Sequence, residues 1–126
     1  MIYIEKQIRQ WPAGAEKDWE VARSLVAQTR IRHGLFFAHL ALEKTLKAHV
    51  CRATQGLAPP IHNLSRLADH ACLTLETQQR ELLAEVNSFN IEGRYPELLL
   101  PQPTPEEADG YLARTEELLS CLQRMF

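Results

Sequence analysis

Residues 35–54, LFFAHLALEKTLKAHVCRAT, would be apolar over well over half of their circumference as an α-helix. At 100° per residue, Leu35, Ala38, Leu42, Leu46 and Val50 form one stripe, and Phe37, Ala41, Thr45 and Ala48 widen it. A helix of that width is buried on two sides, so it stands at the centre of a bundle or meets a second subunit. The small side chains of Ala38, Ala41, Thr45 and Ala48 would allow a neighbouring helix to approach closely.

The flanking sequence supplies the rest of such a bundle. From Ala15 to His33, the residues Trp19, Ala22, Val26 and His33, flanked by Val21, Leu25 and Thr29, predict an amphipathic first helix that Gly34 ends. The second helix is expected to stop at "TQGLAPP", a glycine followed by two prolines. "HNLSRLADHA", residues 62–71, predicts a short helix, and a fourth spans about Leu75 to Ile91. "TPEE" places Thr104 at N-cap, Pro105 at N1 and Glu107 at N3, a capping box that opens a fifth helix running to the end of the chain. No strand-like alternation occurs, which predicts an all-α bundle of four long helices and one short one. At 126 residues and 45% hydrophobic side chains, the chain is sized for one core, so residues 1–126 are read as one domain with its core at about 15–124.

Composition excludes several functional classes. There is neither a signal-peptide pattern nor an apolar run near the roughly 20 residues that span a bilayer, so a cytoplasmic protein without membrane association is expected. Cys51, Cys72 and Cys121 lie far apart in no redox or zinc spacing and are expected to be reduced, mostly buried thiols. A net charge of −2 argues against a protein that coats nucleic acid. The charge is uneven: residues 1–52 hold nine Lys/Arg against five Asp/Glu, and residues 53–126 hold five against eleven. The basic half either attracts phosphates or an acidic partner, or merely reflects which solvated faces carry which charges.

Few local constellations carry chemistry. Glu43, Lys44 and Lys47 share the one polar sector of the second helix, and by themselves read as a solvated strip. His39 and His49 point into the apolar arc and read as core or interface histidines rather than catalytic ones. No metal-ligand spacing, Gly-rich phosphate loop or nucleophile with a neighbouring base is present, so no metal, cofactor or catalytic residue is assigned. His62 opens the short helix, where its ring would cap backbone N–H groups. Pro96 pushes Tyr95 towards extended geometry, and a connection fixed in that way can aim Arg94 and Tyr95 inward, Arg94 at a carboxylate such as Glu43 or at a ligand phosphate.

The order "FFAHLALEKTLKAHV", "APPIHNLSRLA", "LLAEVNSFNIEGRYPE" resembles the HEPN domain family (higher eukaryotes and prokaryotes nucleotide-binding) over residues 15–124. An A-x-E-K-x-x-K helix, an H-[ND]-L element and an R-Y-P segment recur there in that order. The resemblance implies an up-and-down four-helix bundle with one additional short helix. It also implies a homodimer that partners a minimal nucleotidyltransferase in a toxin–antitoxin-like module and binds a nucleotide. By position it carries a ligand-binding role to Glu43, Lys44, Lys47, His62, Arg94 and Tyr95. Ribonuclease members carry R-x(4–6)-H, and that motif is expected to be missing here, since no histidine follows Arg94 and only three residues separate Arg66 from His70. The alternative is a metal-independent endoribonuclease built on a non-standard histidine such as His62, with RNA as its partner.

Overall fold

The computed structural model describes residues 4–94 and 101–126, with the side chains of 91–94 excepted. Helix α1 runs from Ile4 to Ala27 and α2 from Ile31 to Thr54, so the first helix begins well before Ala15 and ends before His33. Pro12 lies inside α1. The chain reverses at Thr29, whose φ of 61° is left-handed. There the Arg30 N–H donates to the Leu25 carbonyl and the Thr29 N–H to that of Val26, both at 2.9 Å, which closes the helix end as a Schellman motif without glycine.

Gly34 does not break a helix; it lies in the first turn of α2, where it is buried. A Cβ there would stand 2.5 Å from Val26 Cγ2 and 3.0 Å from the Ala22 carbonyl oxygen. Its lack of a side chain is what lets α1 and α2 come together at the hairpin. α2 ends at Thr54, as expected, although Gln55 rather than Gly56 takes the left-handed position (φ 53°) and returns its N–H to Cys51.

Helix α3 is Leu64–His70, α4 is Thr77–Arg94 and α5 is Pro105–Arg124. The capping box stands as expected: Thr104 Oγ1 accepts from the Glu107 N–H at 3.1 Å, and Glu107 Oε1 accepts from the Thr104 N–H at 2.9 Å. Paired contacts fix the directions. Gly14 and Asp18 of α1 meet Lys44 of α2, Gln79 and Phe89 of α4 meet Cys121 and Tyr111 of α5, and His49 of α2 meets Leu122 of α5. The four long helices therefore run up, down, up, down, with α3 laid across α2 and α4.

Among the described residues α2 alone packs on all four other helices. Fifteen of its 24 residues are buried, which assigns its apolar width to the centre of the bundle. Leu35, Leu42, Leu46 and Val50 meet Leu64 and Leu67 of α3, Leu83 and Val86 of α4, and Leu118 and Leu122 of α5 in one cluster. Each fully buried leucine contributes about 1.5–3 kcal/mol relative to exposure. No helix among the described residues is long and apolar enough to cross a membrane.

Candidate functional site

Helical spacing places His39, Glu43 and Lys47 one turn apart on α2, and all three are buried. A buried charge is tolerated only with partners, and Glu43 has them on both oxygens. Its Oε2 accepts from Lys47 Nζ at 3.2 Å, and its Oε1 accepts from His62 Nδ1 at 3.0 Å, with His39 Nδ1 3.8 Å from the same oxygen. The Lys47 ammonium also sits 5.4 Å from the centre of the Trp11 ring of α1, a cation–π distance. Lys44 turns the other way and pairs with Asp18 of α1 at 2.7 Å. Its stem runs across Gly14, where an added Cβ would come within 3.3 Å of Lys44 Cδ.

The polar sector is thus an interior lock between α1, α2 and the loop before α3, not a solvated strip. Periodicity within one helix cannot reveal Asp18, Trp11 or His62, which arrive from elsewhere in the chain.

His62 corrects a second expectation. Asn63 caps α3 by accepting from the Arg66 N–H at 3.1 Å, while the His62 ring turns to Glu43. α2 holds this residue twice, since His39 Nε2 donates to the His62 carbonyl oxygen at 3.0 Å. Asn87 of α4 steadies the same loop, its Oδ1 accepting from the Leu64 N–H at 2.7 Å and its Nδ2 donating to Asn63 Oδ1 at 3.4 Å. With Nδ1 donating to the carboxylate, the neutral ring keeps Nε2 as an acceptor, and 51% of the side chain is open to solvent. A half-exposed imidazole oriented by a buried carboxylate can accept a hydrogen bond from a ligand or take up a proton.

Arg94 is the last residue of α4; its side chain, together with Tyr95 and Pro96, lies outside the described residues. Among the described residues no three His, Cys, Asp or Glu side chains are grouped as a metal would need.

One further pair bears on the ribonuclease spacing. Arg32 and His39 are separated by six residues, so the interval does occur in the sequence, contrary to expectation. His39, however, is completely buried and gives its Nε2 proton to the His62 carbonyl, so its ring faces the core and not an RNA backbone.

His49 is a core histidine as expected, with Nε2 donating to the Leu122 carbonyl at 2.8 Å and its ring stacked 4.0 Å from that of Phe126. Burial holds its pKa below the ordinary value; the Leu122 hydrogen bond opposes this, and Arg52 adds to it. The folded state therefore resists a proton that the unfolded chain accepts, so stability is full above the unfolded pKa of about 6.5 and is lost as the pH falls through it. We expect a decline of up to about 1.4 kcal/mol per pH unit below that point. Thermal melts of the wild type and His49→Gln between pH 7.5 and 5.5 check this, and equal slopes would assign the acid sensitivity elsewhere.

Of the three free cysteines only Cys51 is fully buried, and burial pushes its thiol up; Cys72 is exposed, at the left-handed end of α3, contrary to expectation.

The HEPN domain model matches residues 8–125 of this sequence. The crystal structure of TT1696 from Thermus thermophilus superposes with a TM-score of 0.80 at 20% identity, covering 95% of this chain and 98% of that one. ST0689, described as an archaeal HEPN homologue, gives 0.67 at 21% identity over 99% and 98%. At these identities the likeness is one of fold. No curated protein matches the chain.

Proposed function

The chain belongs to the HEPN family, and from that premise we propose that it is a binding and interaction protein of the cytoplasm: a homodimer that partners a minimal nucleotidyltransferase in a toxin–antitoxin-like module and binds a nucleotide. The observation that supports binding over catalysis is the internal matching of charge in the E-K-x-x-K helix, Lys47 by Glu43 and Lys44 by Asp18. Lysines committed to carboxylates are poorly placed to stabilise the charge that develops at a scissile phosphate. The part of this motif still open to a nucleotide is its edge, where Lys44 and His62 reach solvent.

The width of α2 no longer supports the dimer, since one chain covers it. Support comes instead from the half-buried Phe37 and Leu40 on the open side of α2 and from exposed Val21 on α1. Sedimentation at micromolar concentration is expected to give a dimer, and a single species of 14.4 kDa would remove that part of the proposal. Co-purification with a small G-S-x-x-x-D-x-D protein from a neighbouring gene tests the partnership.

The His62–Glu43 pair favours one second reading, a metal-independent endoribonuclease with His62 as its acid–base group. RNA left intact by the purified protein supports binding alone, whereas cleavage abolished in His62→Ala would install the enzyme.

A further inference from the structure

At the end of the bundle where α1 begins and α2 and α5 finish, a cleft of about 370 Å³ is lined by Glu5, Ile8, Arg9, Pro12, Arg52, Gln55 and Phe126. Its two cations are unmatched: among the described residues neither Arg9 nor Arg52 forms an ion pair, and Glu5 is not within 4.0 Å of Arg9 although it stands one turn before it. Arg52 donates from Nη1 to the Met125 carbonyl at 3.3 Å, which leaves most of its planar donor fork uncommitted. Two guanidiniums on one cleft, neither in an ion pair among the described residues, present donor forks that an anion can bridge.

Gln55 apart, the remaining walls are apolar. Ile8 and Pro12 form one side. Phe126 stacks on His49 at a 15° interplanar angle and also lines the cleft, so its ring is partly exposed there. An apolar ring can pack among Ile8, Pro12 and Phe126 while an acidic group attached to it reaches the arginines. The volume lies at the small end of the range for small-molecule sites, roughly 300–1,000 Å³.

We propose that this cleft binds a small organic anion, a phosphate or carboxylate carried on a flat apolar ring. None of its residues belongs to the Glu43 cluster, and the inference does not rest on the function proposed above. The probes are phenyl phosphate, benzoate and inorganic phosphate, titrated into the intact protein and followed by backbone amide shifts. Phenyl phosphate or benzoate is expected to saturate below about 1 mM, roughly tenfold tighter than inorganic phosphate, with the largest shifts at residues 5–12 and 52–55. Whichever of the two binds more tightly identifies the acidic group as phosphate or carboxylate. Arg9→Gln removes an exposed side chain with no ion pair, so it should leave the melting temperature unchanged and weaken binding about fivefold or more. Arg52→Lys, which keeps the charge and loses the planar fork, should weaken binding as well, and Arg66→Gln, at an exposed position on α3 outside the cleft, should leave it unaltered. No saturation by about 10 mM, or affinities unchanged in both arginine variants, would overturn the proposal. An equal loss of binding in Arg66→Gln would mean attraction to surface cations at large and overturn it equally.

Discussion

Replacing Glu43 with alanine is expected to cost about 3–5 kcal/mol, because it leaves the Lys47 ammonium buried without its counter-charge and frees the His62 ring from its anchor. The Trp11 ring offers a cation–π contact and no hydrogen bond, so it cannot replace the carboxylate. Urea unfolding monitored by circular dichroism measures the loss, and an unchanged m-value would place it in stability alone. The double variant Glu43→Leu/Lys47→Met should recover most of it, since a buried ion pair exchanged for apolar groups of similar volume is often neutral or better. A cost below about 1 kcal/mol for Glu43→Ala would instead mean that Lys47 reaches water, as surface pairs do.

Gly34→Ala should also be strongly destabilising, by about 1–3 kcal/mol or more, although alanine is the better helix former. Its methyl would meet Val26 Cγ2 at 2.5 Å and backbone atoms of α1 at 3.0 Å, and backbone cannot rotate aside as a side chain tip does. Gly110 is the control. It lies within α5 with nothing inside 4 Å of an added Cβ, so Gly110→Ala should gain about 0.5–1 kcal/mol. Opposite signs for two Gly→Ala changes in helices, read from melting temperatures on one instrument, would establish the tight crossing of α1 and α2. A stable Gly34→Ala protein would show that the hairpin can open without loss.

These two residues mark where the sequence was readable and where it was not. The apolar width of α2 and the capping box at Thr104 are local patterns, set by spacing within one element, and both appear in the fold as the spacing predicts. Gly34 reads as a helix stop because propensity takes no account of a neighbouring helix whose backbone would stand 3.0 Å from an added Cβ. The stop of α2 is signalled by "TQGLAPP", but the stops at Thr29 and Cys72 carry no signal, since their left-handed backbones are imposed by hydrogen bonds back into the preceding turn and not by residue type. Of the candidate cluster, the polar sector of α2 was legible as residues, and its arrangement was not. Glu43 and Lys47 follow from i,i+4 spacing, whereas Asp18, Trp11 and the His39–His62 hydrogen bond depend on how three segments meet. His62 stands next to a cap residue, and nothing local distinguishes its role from that of Asn63.

The position of α2 has a consequence for how the bundle breathes. Among the described residues α3 packs only on α2 and α4, so it can detach while α1, α4 and α5 keep most of α2 covered. α2 itself can be uncovered only when several neighbours leave together. Its amide protons should therefore exchange with solvent at rates set by global unfolding, while those of the short α3 and the loop carrying His62 exchange through smaller openings. The imidazole at the solvent edge of the site would then be borne by one of the first segments to loosen, and the carboxylate that orients it by the last.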